Sequence, residues 1–238
     1  MNRLLVHEGP TLRAAPFEEL GNKVAMRLLT PRQRHELESL ATRITYKPGA
    51  AVYREHSQST AIFICEDGAL KAFRDLPSGK RRVMSFLFAG DLFGLSEHGR
   101  YLNTVQALTK SVCFCIPREQ LVAVLRRDSE LEFHFLCKVI HELRALQLRS
   151  IIMGHRSASG RVAMFLTMLE KHLPDDSPRH VLPLPMSRAD IAGYLGLSPE
   201  AVSRAAKELV AAGVIAFSGG KEVRILDRKR VERLAADV

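Results

Sequence analysis

Between Pro117 and Gly154 the chain contains neither glycine nor proline, although it holds 15 Gly and 11 Pro in all. An uninterrupted stretch of that length predicts a helix well beyond the roughly 10–14 residues of an average one, preceded by a short helix over Arg118–Arg126. Apolar residues recur on a heptad along it. With Leu136, Leu143 and Ser150 at a, the d positions are Val139, Leu146 and Met153, and Lys138, Glu142, Arg144 and Arg149 flank them. This pattern reads as a two-stranded coiled-coil seam, polar only at Ser150. The alternative is a core helix lying on the preceding domain. In either case the chain divides into three parts: 1–116, 117–154 and 155–238.

Upstream, the texture is that of short strands. Thr30-Pro31 opens a short helix with Leu37 and Leu40 inward, after a weaker helical pattern over Phe17–Leu29. From Thr42 to Pro117, apolar or alternating runs follow at Ala61–Cys65, Ala69–Phe73, Val83–Phe88 and Ser111–Ile116. They are separated by Lys47-Pro48-Gly49, Glu66-Asp67-Gly68, Pro77-Ser78-Gly79-Lys80 and Ala89-Gly90-Asp91. Many short strands with regular turn signals predict a sandwich or barrel.

Downstream, His155–Gly160 reads as a hinge of small residues, Arg161–His172 as a helix, Leu173–Pro178 as a loop and Val181–Pro185 as extended chain. Ser187 then caps a helix, with Asp190 placed to reach back as in a capping box. Ile191, Ala192 and Leu195 face inward, Gly196 stands where a left-handed residue ends the helix, and Leu197 fills the corner. Ser198-Pro199-Glu200 starts the next helix with an N-cap, a proline at N1 and an acid in the first turn. That helix divides by face: Val202, Ala206, Leu209 and Val210 inward, Glu200, Ser203, Arg204 and Lys207 outward. Gly213 ends it, Phe217–Val223 reads as a tight hairpin, and Asp227 caps a last short helix. Helix, turn, helix and wing make a winged helix-turn-helix. On its outward face Arg204 can donate two bonds to guanine O6 and N7, and Glu200 can accept from cytosine N4.

Charge agrees with such a partner. Lys and Arg number 35 against 26 Asp and Glu, giving a net charge of +9, which favours a polyanion. The excess is spread, with 13 basic against 10 acidic residues in 155–238 and 22 against 16 before it. DNA contact must then come from a shaped surface. No segment reaches the roughly 18 apolar residues of a membrane span, and the charged N-terminus lacks a signal-peptide stretch, so a cytoplasmic protein is expected. The cysteines, Cys65, Cys113, Cys115 and Cys137, have no zinc-type spacing and read as small core residues. Cys113 and Cys115 share one face of a strand, which leaves a thiol redox switch open. No catalytic triad, carboxylate pair or phosphate loop emerges, so an enzyme is not expected.

A β-barrel, a long helix and a winged helix-turn-helix in this order resemble the CRP/FNR superfamily of bacterial transcription factors, over roughly residues 25–230. The most specific stretch is Met186 to Arg204. It looks like the FNR/FixK branch, whose Glu-x-x-Ser-Arg reading pattern stands here as Glu200, Ser203 and Arg204, with Pro199 where the CRP branch tends to carry Arg. The resemblance implies an α+β fold: an N-terminal β-roll of the cyclic-nucleotide-binding type, a dimerisation helix and a C-terminal DNA-binding domain.

The sensor half departs from the better-known branches. In Gly90–Glu97 no Glu follows Gly94, and in Tyr101–Val105 no Arg stands beside the Thr, as a cyclic-nucleotide pocket of the CRP kind requires. The stretch Met1–Ile64 has no cysteine for an FNR-type iron–sulfur cluster. No cofactor is therefore expected. A haem- or small-ligand-gated sensor is the alternative, with His98 near the position of a haem ligand in relatives. The expected function is a homodimeric activator that binds double-stranded DNA at an inverted repeat resembling TTGAT-N4-ATCAA, in an oxygen-, nitrogen- or redox-linked regulon. The resemblance implies RNA polymerase as a partner, and the Pro77–Arg82 hairpin is a candidate contact by its position. Base reading falls to Glu200, Ser203 and Arg204, backbone contact to Ser198, Lys207 and Arg188, and the seam to Leu136, Val139, Leu143, Leu146, Ser150 and Met153.

Overall fold

The computed structural model describes residues 13–14, 26–27, 29–96, 98–155, 157–170, 172 and 181–236. Most of the Phe17–Leu29 pattern and the 173–178 loop lie outside these residues. The described part of the former is not helical: β2 (Met26–Arg27) pairs antiparallel with β1 (Arg13–Ala14). The described residues of Met1–Ala72 and Phe86–Ala145 form one compact unit, and those of Phe73–Ser85 and Leu146–Val238 another.

Helix α1 (Pro31–Leu40) starts as its sequence predicts. Thr30 Oγ1 accepts from the Gln33 N–H, Gln33 Oε1 accepts from the Thr30 N–H, and Leu37 is buried. The strands follow as β3 (Thr42–Tyr46), β4 (Ala51–Tyr53), β5 (Ala61–Asp67), β6 (Leu70–Asp75), β7 (Arg81–Leu87), β8 (Leu92–Phe93), β9 (Thr104–Ala107) and β10 (Ser111–Pro117). They build two four-stranded sheets, in the orders β3-β10-β5-β8 and β4-β9-β6-β7. The turn at Gly68 (φ +92°) admits only glycine, because a Cβ there would lie 2.5 Å from Ser111 Oγ and 2.6 Å from the Lys110 carbonyl.

Two apolar clusters fill this unit. In one, Ile62, Ile64, Phe114 and Ile116 meet Leu37 of α1, Leu121 and Val124 of α2 (Arg118–Leu125), and Leu131 and Phe135 of α3 (Ser129–His155). In the other, Tyr53, Phe63, Phe93 and Tyr101 pack ring to ring, with Tyr53 and Tyr101 stacked at 3.8 Å between centroids. The Tyr101 hydroxyl donates to the Ala61 carbonyl at 2.8 Å and accepts from the Ala61 N–H at 3.3 Å. Aromatic side chains thus occupy the middle of this sheet region.

Helix α3 has two apolar stripes. Leu131 and Phe135 turn into the first cluster, whereas Leu136, Val139, Leu143 and Leu146 are 42–53% exposed. This favours the seam reading over a helix wholly committed to the core. Lys138, which flanks the heptad positions in sequence, turns inward. Its side chain is 2% exposed and its Nζ donates to Asp91 Oδ1 at 3.3 Å, while Asp91 Oδ2 accepts from the Phe88 N–H at 2.9 Å. A position seven residues after Leu131 falls on the same inward stripe.

In the second unit α4 (Ala158–Glu170) begins earlier than expected and absorbs half of the supposed hinge. Strand β11 (Val181–Pro183) pairs with β13 (Glu222–Ile225), which also pairs with β12 (Ile215–Ser218). Between them lie α5 (Arg188–Leu195) and α6 (Pro199–Ala211), and α7 (Arg228–Ala236) closes the chain, with Asp227 Oδ1 accepting from the Arg230 N–H. Buried Val162, Phe165, Leu166 and Leu169 of α4, Leu195 of α5 and Leu209 of α6 supply apolar burial. Phe165 and Tyr194 pack at 5.9 Å between centroids.

Candidate DNA-binding surface

Local chemistry sets the angle between α5 and α6. Ser187 Oγ accepts from the Asp190 N–H, and Asp190 Oδ2 accepts from both the N–H and the hydroxyl of Ser187, completing the capping box. At the other end Gly196 is left-handed (φ 66°, ψ 34°), and the N–H groups of Gly196 and Leu197 both return to the Ala192 carbonyl. Arg161 Nη1 donates to the Leu195 carbonyl at 3.2 Å, a support from α4 that sequence spacing did not reveal. Gly196→Ala should lower stability by about 1–2 kcal/mol, because a Cβ is strained in this conformation. Thermal unfolding measures the loss, and an unchanged melting temperature would mean that the turn relaxes.

Helix α6 is capped by Ser198, whose Oγ accepts from the Ala201 N–H at 3.2 Å, with Pro199 at its first position. Val202, Ala205, Ala206 and Leu209 are buried. Val210, expected inward, is 42% exposed, and Ala205 takes its place because it lies closer to the centre of the stripe. Glu200, Arg204 and Lys207 are exposed and Ser203 half-buried, so the sequence-predicted reading residues share one face. Ser198 and Arg188 lie exposed beside them.

The Glu200 carboxyl is held below its usual range, first by its own backbone N–H, then by the Ser198 hydroxyl and by the positive charge of Arg204. It is therefore an anion at neutral pH, as an acceptor for an amino group must be. Arg188 links the elements: its Nη1 donates to Ser203 Oγ at 3.3 Å, and its guanidinium lies 5.5 Å from the centre of the Phe217 ring in β12. Phe217 escaped the sequence reading. Its only signal was an aromatic residue at an exposed strand position of the wing.

The remaining candidates lie on other elements of the chain. Leu136, Val139, Leu143, Leu146 and Ser150 lie along α3 and are exposed; Met153 is on the same helix. His98 is exposed on the loop after β8. Cys113 faces Cys65 across β10 and β5, and both are buried, with Cys115 half-buried on the same strand. The hydrogen bond with Cys113 and burial push the Cys65 thiol up, and burial pushes Cys115 up. Both shifts disfavour the reactive thiolate at Cys65 and Cys115. In the Pro77–Arg82 turn, Arg81 is pinned by Asp75 at 2.8 and 3.1 Å and lies 3.9 Å over the Phe73 ring. Among the described residues no three His, Cys, Asp or Glu side chains gather as a metal site, and no helix is long and apolar enough to cross a membrane.

A two-sheet roll, a long helix and a winged helix-turn-helix with an outward reading face define a DNA-binding transcription regulator. Comparison with known proteins agrees along the chain. Residues 43–128 match the cyclic nucleotide-binding domain and residues 160–234 the Crp-like helix-turn-helix domain. The nitrogen fixation regulation protein FixK of Bradyrhizobium diazoefficiens is 35% identical over 212 residues, covering 84% of this chain and 85% of that protein. The transcriptional activator protein anr of Pseudomonas aeruginosa is 32% identical over 185 residues, covering 76% and 75%. The structure of FixK2 from Bradyrhizobium japonicum superposes with a TM-score of 0.77 at 28% identity, covering 83% of this chain and 98% of that one. The chain belongs to the CRP/FNR family and is a FixK-like transcription regulator, not an enzyme.

Proposed function

We propose that the protein acts in the cytoplasm as a homodimeric activator that places two copies of α6 in successive major grooves of an inverted repeat resembling TTGAT-N4-ATCAA. The observation that carries this reading is the outward face of α6, where an anionic Glu200 stands one helical turn before Arg204. A single G·C pair satisfies both: Arg204 donates to guanine and Glu200 accepts from cytosine on the opposite strand. Ser198, Lys207 and Arg188 serve the phosphate backbone. The apolar stripe of Leu136, Val139, Leu143 and Leu146, continued to Ser150 and Met153, pairs with its copy and spaces the two reading helices about one DNA turn apart.

Three functional segments follow: a sensor-like roll to residue 116, the dimerisation helix over 117–154 and the DNA-binding domain beyond. The 77–82 turn, rigidified by Arg81, is the proposed contact with RNA polymerase. An oxygen-, nitrogen- or redox-linked regulon is inferred from likeness to nitrogen fixation regulators.

Arg204→Ala should cost about 1–3 kcal/mol per half-site and abolish preference at the G·C pair. Lys207→Ala should weaken all sequences alike and flatten the salt dependence. Anisotropy titrations on duplexes mutated at each position, at fixed salt, distinguish the two. Equal loss on matched and mismatched sites in Arg204→Ala would make that residue a phosphate clamp and sink the base assignment.

A further inference from the structure

The contact between Arg188 and Ser203 joins the first turn of α5 to the middle of the reading face, and Phe217 of the wing lies beneath the same guanidinium. Three elements of the domain thus meet at one guanidinium, which holds one serine hydroxyl. A serine oxygen has one hydrogen to donate and two lone pairs with which to accept. By itself it does not discriminate between a base acceptor, such as thymine O4, and a base donor, such as an adenine or cytosine amino group. A guanidinium has five N–H donors and no acceptor, so in this pair Ser203 is the acceptor.

Two consequences follow. One lone pair is engaged, and the adjacent cation repels the positive end of any further donor that approaches the oxygen. The hydroxyl hydrogen is left to find an acceptor. Within a helix its ordinary internal partner would be the carbonyl four residues back; among the described residues Ser203 accepts from Arg188 and donates to no acceptor.

We propose that Arg188 is a specificity-determining positioning residue: held over Phe217, it sets Ser203 to donate, so that the base facing Ser203 must present an acceptor. Thymine O4 fits, as do the N7 and O6 atoms of purines, whereas the exocyclic amino groups of cytosine and adenine are refused. The guanidinium uses one nitrogen for Ser203, and its other donors can still meet a phosphate, so this role adds to backbone contact. Phe217 supplies the shelf, since a guanidinium within about 6 Å of an aromatic face is attracted to it and loses freedom to swing away.

The inference rests on α6 being the reading helix, and the test separates the two. Full-length protein is titrated by anisotropy, at fixed salt, on the inverted repeat with each half-site T·A pair replaced in turn by a 5-methylcytosine·G pair. That base keeps the methyl group and exchanges the O4 acceptor for an amino donor. At one position the parent protein should prefer thymine about tenfold. Arg188→Lys keeps the positive charge and loses the planar fork. It should reduce that preference to under about threefold while leaving discrimination at the G·C pair intact. Ser203→Ala should do the same, and combining the two should remove nothing further.

Retention of the full thymine preference in Arg188→Lys overturns the proposal. So does a loss in Arg188→Lys or Arg188→Ala that is equal for both bases, which would make Arg188 a phosphate contact only. If instead the parent protein discriminates at no position and Arg204→Ala changes nothing, α6 is not the reading helix, and the underlying function fails with it.

Discussion

Asp91→Ala should lower the free energy of unfolding by about 3–5 kcal/mol. The Lys138 ammonium is 2% exposed, and Asp91 Oδ1 receives its hydrogen bond at 3.3 Å. Removing the carboxylate takes the counter-charge from a cation that water cannot reach, and also removes the acceptor of the Phe88 N–H. Lys138→Met makes the control. It keeps most of the aliphatic stem and deletes the buried charge, and replacing a buried ion with an apolar residue often costs little. The double variant Asp91→Ala/Lys138→Met should be more stable than Asp91→Ala alone, because no buried cation remains without the Asp91 carboxylate. Urea unfolding of all three decides the matter. If Asp91→Ala loses less than about 1 kcal/mol, the pair does not anchor α3 to the strands.

Leu143→Glu should abolish the dimer and, with it, about 100-fold or more of the affinity for a two-half-site duplex. Leu143 is 53% exposed in the single chain, and with Leu136, Val139 and Leu146 it forms the uncovered stripe of α3. In a paired helix the substitution sets two carboxylates against each other in a desolvated seam, at a cost of several kcal/mol. The affinity falls because each reading helix must then bind its half-site without the effective concentration that its partner supplies. Sedimentation measures the first effect and anisotropy the second, on the same sample. A Leu143→Glu protein that sediments as the parent does and binds normally would refute the seam. A monomer that still binds the full site tightly would instead refute the requirement for paired half-sites.

Legibility varied with the range of the interactions involved. The caps at Thr30, Ser187 and Ser198, the left-handed Gly196 and the wing turn are local devices, each written within a few residues, and the structure realises them. The hydrophobic period of α6 assigned its reading face for the same reason, and failed only at Val210, where the edge of the stripe depends on what packs beside it. The start of α4 was misread because Ala158-Ser159-Gly160 looks like a hinge by composition, while Gly160 is buried in a helix whose apolar face needs it.

The amino-acid sequence by itself determined the division into roll, long helix and winged helix-turn-helix, together with the residues on the outward face of α6. These follow from spacing, and spacing is a property of the chain. Only the tertiary structure decided that Lys138 turns inward to Asp91, that Cys113 meets Cys65 rather than Cys115, and that Arg188 grips Ser203 over Phe217. Each of these pairs joins residues far apart in the chain or on different elements. Their partners are chosen by the register of strands and the crossing of helices. Those follow from how the apolar faces pack together, and no local pattern encodes them.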